Sequence, residues 1–396
     1  MTSAAARIGV VGGGMAALRT VESLRQGGFS GRVDVFGAEL HPSYSRPPLS
    51  KAALATGTDH AGVAFRHRDD PGPTTWHRGR SVAHADLVGG TIHLDDGQVH
   101  EVDHVVAATG VRPRRLDLPV PQARRHTLRT LEDAVALRAQ LGPDARVVIL
   151  GAGFIGCEVA ATARSLGCTV DVVALDPVPL ARAIGTLAGS TLQTAHERAG
   201  VRFHLGRTVA TAEDTSAGVR LELDDHTELL ADVVVEAVGS TCNTEWLEGN
   251  GLDLSDGVLT TSTLQSPDHP NLHAVGDVAR YPHVLFGPEP RRIEHWQLAT
   301  ETAKTAAASI LGDDASPLVA LPYFWSDQYA IKVQAFGMPS LADEFVLLEQ
   351  EGPVDLAVDC RRAGRRVAIT TLGMARHAVR WRTSVLDELD VLAGAW

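Results

Sequence analysis

Gly12-Gly13-Gly14-Met15-Ala16-Ala17 and Gly151-Ala152-Gly153-Phe154-Ile155-Gly156 are the two stretches of this 396-residue chain whose residue types and spacing could do chemistry. Both fit G-x-G-x-x-G/A. In that pattern the first glycine permits a tight turn out of a strand. The second lets the backbone approach a pyrophosphate closely, and the small last residue lets helix and strand pack. The helix that follows offers free N–H groups and a positive dipole end to phosphate. One such motif is weak. Two in one chain point to a protein that holds two dinucleotides together, as transfer of hydride from a nicotinamide to a flavin requires.

The elements that would position these turns are legible on either side. Residues 7–11 form a short apolar, β-branched run, as expected of a buried parallel strand. Leu18, Val21 and Leu24 recur at helical spacing, and residues 33–36 read as a second strand. Glu39, just beyond it, is the acidic candidate for ribose hydroxyls. The second unit repeats the plan with a strand at 146–150, a helix from 155 to 166 with Val159 and Ala163 on its apolar side, and a strand at 169–173. Its ribose-binding position is Ala174 rather than a carboxylate. Asp176 is the substitute, and no arginine is expected beside it to clamp a 2′-phosphate, the next in sequence being Arg182. NADH is therefore expected, with NADPH as the second candidate. Gly151, Gly153, Phe154, Ile155, Gly156, Asp176, Arg182 and Gly239 form the expected nicotinamide-nucleotide set.

The length suggests two or three domains at roughly 150 residues each. An apolar share of 44% with 21% charged residues describes a globular chain. No apolar run approaches the ~20 residues that cross a bilayer. The opening Met1-Thr2-Ser3-Ala4 lacks the features of a secretory signal, so the expected location is cytoplasmic, with no membrane association. A net charge of −12 argues against general nucleic-acid binding. Arginines are nevertheless clumped at 112–115, 124–125, 291–292 and 361–366, which leaves either a patch that steers an acidic partner or ordinary solvated arginines. Cys157, Cys168, Cys242 and Cys360 form no C-x-x-C pair, so neither a disulfide framework nor an iron–sulfur cluster is expected. The 17 histidines are dispersed, and no metal site is expected.

Further strings carry a resemblance. They are Tyr44-Ser45-Arg46-Pro47-Pro48-Leu49-Ser50-Lys51, Ala108-Thr109-Gly110, residues 151–158, Ala274-Val275-Gly276-Asp277, Arg292-Ile293-Glu294-His295-Trp296, and residues 323–329 beginning Tyr323-Phe324-Trp325-Ser326-Asp327-Gln328. With them the chain resembles bacterial FAD-dependent ferredoxin reductases of the putidaredoxin-reductase and aromatic-dioxygenase type. The resemblance implies an α/β fold with two Rossmann-like, glutathione-reductase-like dinucleotide domains and a small α+β C-terminal domain. The FAD domain would be residues 1–117 and 240–317, the NAD(P)H domain 118–239, and the C-terminal domain 318–396. Pro113, Pro119 and Pro121 mark one crossing, and Gly239, after a strand expected at 233–238, marks the other.

Carried over position by position, Lys51 lies beside the isoalloxazine N5 and pairs with Glu158; these are the two catalytic candidates. Gly12, Gly14, Met15, Ala16, Ala17, Glu39, Arg46, Val82, Ala108, Thr109, Gly110 and Arg129 fall at FAD-binding positions. So do Gly276, Asp277, Glu294, His295 and Trp296. Asp277, read as standing just before a helix, would hold the ribityl chain. Lys304 and Trp325 match the side on which a partner docks. The implied activity passes electrons from NADH through FAD, one at a time, to a small iron–sulfur ferredoxin serving a cytochrome P450 or ring-hydroxylating oxygenase. The protein would be a monomer or homodimer.

The chain departs from the pattern at Ala174 and at Cys242, which replaces a proline. It also departs at the histidine-, arginine- and proline-rich stretch 62–77, and after Gly337, where the match is poor. Two other readings stand beside the reductase. One is a flavin-dependent NAD(P)H oxidoreductase with another acceptor, although residues 41–51 hold no redox cysteine. The other is a flavin-binding interaction protein whose redox state controls its partners.

Overall fold

Ile8, Val10 and Val11 are buried on both faces of their strand, as the central position of a parallel sheet demands. The computed structural model describes residues 6–65, 72–312 and 316–393, with side chains to Leu389. Strand Arg7–Val11 lies at the centre of a five-stranded parallel sheet ordered Leu272–Ala274, His104–Ala107, Arg7–Val11, Arg32–Gly37, Thr74–Arg78. Helices Met15–Gln26 and Trp296–Leu311 pack against one another beside it. A second five-stranded parallel sheet repeats the order with Arg125–His126, Val233–Glu236, Arg146–Leu150, Thr169–Ala174 and Val201–Leu205. Each sheet carries a three-stranded antiparallel meander, at 82–101 in the first half and 209–231 in the second.

The two halves match in detail. Gly12 N–H donates to Phe36 O at 2.8 Å, and Gly151 N–H donates to Val173 O at 2.7 Å. Both glycines have positive φ, and a Cβ on either would fall within 2.3 Å of a carbonyl oxygen, that of Ala108 or Ala237. Only glycine fits that turn. Asp34 and Asp171 also correspond, both buried mid-strand. Asp34 is held by Arg32 and His77, and Asp171 by Arg202 and His204. Burial pushes both carboxyls up, but these hydrogen bonds outweigh it and hold both below the ordinary aspartate range.

The C-terminal part is a five-stranded antiparallel sheet, Tyr323–Gln328, Ile331–Gly337, Arg365–Leu372, Leu356–Arg362, Glu344–Gln350, with helix Ala378–Ala393 against it. It packs on helix Ala181–Arg198 of the second half. That helix breaks at Gly185, where φ is +80° and a Cβ would lie 2.3 Å from the Phe345 ring. The whole is an α/β fold with two Rossmann-like halves and an α+β third unit, as expected.

Two expectations need correction. Asp277 precedes no helix: it sits in the 3-10 turn Gly276–Val278 and leads into strand Ala279–His283. The strand expected at 233–238 stops at Glu236: Ala237 N–H still donates to Leu150 O at 2.7 Å, but its carbonyl lies against the Gly151 turn rather than in a ladder. The stretch 62–77 ends in strand Thr74–Arg78, the edge of the first sheet, while its residues 66–71 lie outside the described residues, as do 1–5. Among the described residues, no helix is long and apolar enough to cross a membrane.

Burial holds three histidines neutral in the fold: it lowers His273 to about 3, and His283 and His295 to about 4. A histidine lowered this way costs nothing above the unfolded value near 6.5. Below it, the unfolded chain takes up the proton and the fold does not. Stability is therefore expected to fall from about pH 6.5 towards pH 4, by up to about 1.4 kcal/mol per pH unit per ring. Calorimetric Tm from pH 7.5 to 4.5 measures the slope. His283→Gln, which can keep the ring's hydrogen bond to Ala320 O, is expected to flatten it; an unchanged slope refutes the assignment.

Candidate functional site

A cleft of about 740 Å³ runs along the carboxyl ends of the first sheet and reaches the second glycine helix. This is where open parallel sheets bind ligands, and the size suits a cofactor. Gly12, Gly14, Met15 and Ala16 line its phosphate end; Ala17 is fully buried behind them and packs the helix on its strand. Helix Met15–Gln26 has Gly14 at its N-cap, with no side-chain cap and no acidic residue in its first turn. Helix Phe154–Ser165 has the same features with Gly153. A Cβ on Gly14 or Gly153 would meet no atom within 4 Å. Each helix thus presents unpaired N–H groups to open space, a cradle for an anion.

Glu39 lines the cleft at the end of strand Arg32–Gly37, but its carboxylate is already engaged by Arg46 Nη2 and the Tyr44 hydroxyl. The Tyr44 oxygen also accepts from Leu131 N at 3.0 Å. Arg46, Val82, Ala108, Thr109, Gly110, Arg129, Gly276, Asp277, Glu294, His295 and Trp296 all line the same cleft. Arg129 Nη2 lies 3.5 Å from Asp277 Oδ2. Burial pushes the Asp277 carboxyl up and the Arg129 guanidinium down; each charge offsets part of the other's cost. Glu294 Oε1 accepts from Arg292 at 2.7 Å and from Ser240 at 2.9 Å. His295 Nδ1 is buried with no partner, and burial keeps the ring neutral. An orphaned nitrogen in a cleft wall fits a bound group that supplies its hydrogen bond.

Lys51 and Glu158, 107 positions apart, meet here. Pro47 and Pro48 open a 3-10 turn ending at Ser50, and Lys51 follows with non-helical φ −122°, ψ −112°. Its Nζ lies 2.6 Å from Glu158 Oε2 and donates to Pro47 O at 3.1 Å. Lys51 is 19% exposed and Glu158 4%, so the pair is largely dry. Glu158 and Thr162 share one helix face, i and i+4. Thr162 Oγ1 donates to Ser50 O at 2.8 Å, and Ser50 and Ser326 hydroxyls both donate to Glu158. Ser50 and Ser326 stand inside strings noted above, yet nothing in their type marked them as partners of one carboxylate.

Phe154 and Ile155 reach the cleft from the second glycine turn; Gly151, Gly153, Gly156, Asp176, Arg182 and Gly239 lie outside it. The expectation that no arginine stands beside Asp176 needs correction: the helix that opens at Ala181 brings Arg182 to it, Nε to Oδ1 3.4 Å. Trp325 lines the cleft and stacks on Tyr323 at 6.0 Å, while Trp296 lies 5.9 Å from Phe65. Lys304 is exposed on helix Trp296–Leu311, paired to Glu301 at 3.0 Å. The rings of Phe36, Trp76 and His77 also line the cleft and have no distinguishing sequence signal, because core aromatics look the same in sequence.

Most of the clumped arginines turn out to be paired within the chain, Arg112 to Glu245, Arg125 to Glu236, Arg292 to Asp256, and Arg366 to Asp359. Asp34, His77 and His100 come within 4.8 Å of one another. Arg32 already takes both Asp34 oxygens, and the same Asp–Arg–His arrangement recurs at Asp171, so this is a strand-pairing device. The four cysteines are free and buried, and burial raises the Cys157 thiol, next to Glu158 in sequence, far above its ordinary value. None supplies a reactive thiolate.

Residues 6–303 match the family described as pyridine nucleotide-disulphide oxidoreductase, and residues 323–392 match the reductase C-terminal family. The second match overturns the expectation that the chain diverges after Gly337. Rhodocoxin reductase of Rhodococcus erythropolis is 36% identical over 96% of this chain and 90% of its own length. The ferredoxin–NAD(+) reductase component of the anthranilate 1,2-dioxygenase system of Burkholderia cepacia is 36% identical over 83% of this chain and 81% of its own. The solved ferredoxin reductase for the CYP199A2 system of Rhodopseudomonas palustris superposes with a TM-score of 0.90 at 34% identity, covering 96% of this chain and 95% of that one. With two uncapped glycine helices meeting at one cleft and these likenesses along its length, the chain belongs to the pyridine nucleotide-disulphide oxidoreductase family.

Proposed function

We propose that this protein is a cytoplasmic FAD-dependent ferredoxin reductase that draws on NADH and serves, through a small iron–sulfur ferredoxin, a P450 or ring-hydroxylating oxygenase. One observation carries the reading: Lys51 and Glu158, a dry ion pair, join the two glycine-helix units inside a single cleft. FAD, when bound, supplies the conversion of a two-electron hydride into single electrons. The domains are read as 1–117 with 240–317 for FAD, 118–239 for the nicotinamide nucleotide, and 318–396 for the third unit.

The protein's own groups bind, orient and stabilise charge. The free N–H groups after Gly14 and Gly153 receive the two pyrophosphates. Lys51 holds a cation where negative charge grows on the flavin edge, and Glu158 keeps that cation in place. Asp277, Arg129 and His295 fix the flavin's chain and ring edge. Trp296 and Trp325 wall the ring from water, and Lys304 with Trp325 lies on the side offered to the ferredoxin. Asp176 takes the adenosine ribose in place of the missing carboxylate at Ala174, which favours NADH, while Arg182 beside it keeps NADPH as the second candidate. No side chain is asked to act as a general acid or base; positioning carries the rate.

The test is anaerobic reduction of the yellow protein by NADH and by NADPH, then ferredoxin-dependent reduction of cytochrome c. Failure with every ferredoxin tried sinks the reading. Lys51→Ala is expected to slow flavin reduction about 100-fold with FAD retained; unchanged kinetics refute its role. Gly14→Val and Gly153→Val separate the two cradles, since a Cβ there meets no protein atom within 4 Å. The first is expected to give a folded, colourless protein. The second should give a yellow one whose apparent Kd for NADH rises at least tenfold. Wild-type affinity in both refutes the assigned cradles.

A further inference from the structure

Glu158 is the inner end of a longer buried chain. Its Oε1 lies 2.6 Å from Ser326 Oγ, which lies 3.0 Å from Gln328 Nε2. Gln328 Oε1 lies 2.7 Å from His196 Nε2, and His196 Nδ1 lies 3.1 Å from the Tyr329 hydroxyl. Ser326, Gln328 and His196 are fully buried, and Tyr329 is 40% exposed. The chain thus runs from the cleft to the surface and links the second Rossmann half to the C-terminal sheet. Ser326 and Gln328 share one face of strand Tyr323–Gln328, two residues apart. Tyr329 turns the hairpin with φ +55°, a left-handed conformation rare for a large side chain. The turn puts its ring edge-on to His196 at 5.0 Å.

Every proton in this chain is assigned by chemistry. An ionised Glu158 accepts only, so Ser326 must donate to it. Ser326 then accepts from the Gln328 amide, whose carbonyl oxygen accepts only from a protonated His196 Nε2. The ring is neutral, since burial lowers its pKa, so Nδ1 accepts from Tyr329. All donors point inward to one carboxylate. The Gln328 amide, which neither gains nor loses a proton under ordinary conditions, rules the chain out as a proton conduit.

We infer that Ser326, Gln328, His196 and Tyr329 are positioning residues for the reaction, a one-way hydrogen-bonded strap from the C-terminal hairpin that orients Glu158 and, through it, Lys51. The inference rests on the proposed role of Lys51 at the flavin. It gives the third unit a part in tuning the redox centre, distinct from docking a partner.

The test compares His196→Leu, which removes the donor, with His196→Gln, whose side-chain amide can still donate to Gln328, and adds Ser326→Ala. Three quantities are read: the flavin midpoint potential by dithionite titration with redox dyes, the limiting rate of reduction by NADH, and the Kd for NADH. His196→Leu and Ser326→Ala are expected to make the potential more negative and slow reduction about 2- to 10-fold, the net worth of one hydrogen bond. Kd should be unchanged, and His196→Gln should return within about twofold of the parent. Equal potentials in the parent and a folded, flavin-loaded His196→Leu overturn the inference, as does equal damage from Leu and Gln. The potential needs no nicotinamide, so a parent that NADH cannot reduce refutes the proposed function while the strap is still decided. Nitrogen-15 spectra of His196 in the flavin-free chain give an independent arm: the neutral Nε2–H tautomer is expected, and the other tautomer or a charged ring overturns the strap.

Discussion

A carboxylate that is 4% exposed cannot remain charged unless its lost hydration is replaced, and Glu158 meets that demand with groups from distant parts of the chain. Lys51 and Ser50 come from the proline turn of the first half, and Ser326 comes from the C-terminal sheet. Removing one donor leaves a buried charge short of partners, so the three units must stay in register for the site to exist. The same condition places a cation at the cleft: Lys51 is fixed because Glu158 is, and Glu158 is fixed because three surfaces close on it.

The two Rossmann halves are variations on one solution. Each uses a glycine whose Cβ would strike a carbonyl oxygen, an uncapped helix start, an aspartate pinned mid-strand by arginine and histidine, and a three-stranded meander before its fourth strand. They differ at the ends of their second strands. Glu39 stands at one and is tied to Arg46 and Tyr44; at the other, Ala174 leaves the position empty of charge, and the acidic group is displaced two residues to Asp176 beside Arg182. A shared scaffold thus carries two local chemistries, because strand order and turn geometry depend on backbone sterics while ligand choice depends on a few side chains at the carboxyl edge.

The C-terminal sheet is the element whose place was least evident. Its strand Tyr323–Gln328 turns Tyr323 and Trp325 to one side and Phe324, Ser326 and Gln328 to the other, by the alternation of any strand. Phe324 packs edge-on against Phe154 at 4.9 Å, and Ser326 reaches Glu158. A single strand therefore supplies an aromatic wall, an apolar contact with the second glycine helix and a hydrogen bond to its buried acid.

What the sequence determined alone is what depends on neighbours along the chain. The two glycine turns, the strands before them and the helices after them follow from steric and apolar patterns a few residues long, and the helix expected at 155–166 lies at Phe154–Ser165. The string Arg46-Pro47-Pro48-Leu49-Ser50-Lys51 marked Lys51 only through resemblance; its own chemistry is that of a lysine after a proline turn. Tertiary structure decided the rest. The setting of Asp277 in a 3-10 turn was not legible locally, and the pairing of Arg112 with Glu245 and Arg125 with Glu236 and the joining of Ser50, Ser326 and Glu158 depend on contacts between segments 108 to 168 positions apart. Such contacts are set by how the sheets close on one another, a long-range packing outcome with no local signature. That is why the glycine cradles can be read in the residues, while the environment that keeps a buried acid charged cannot.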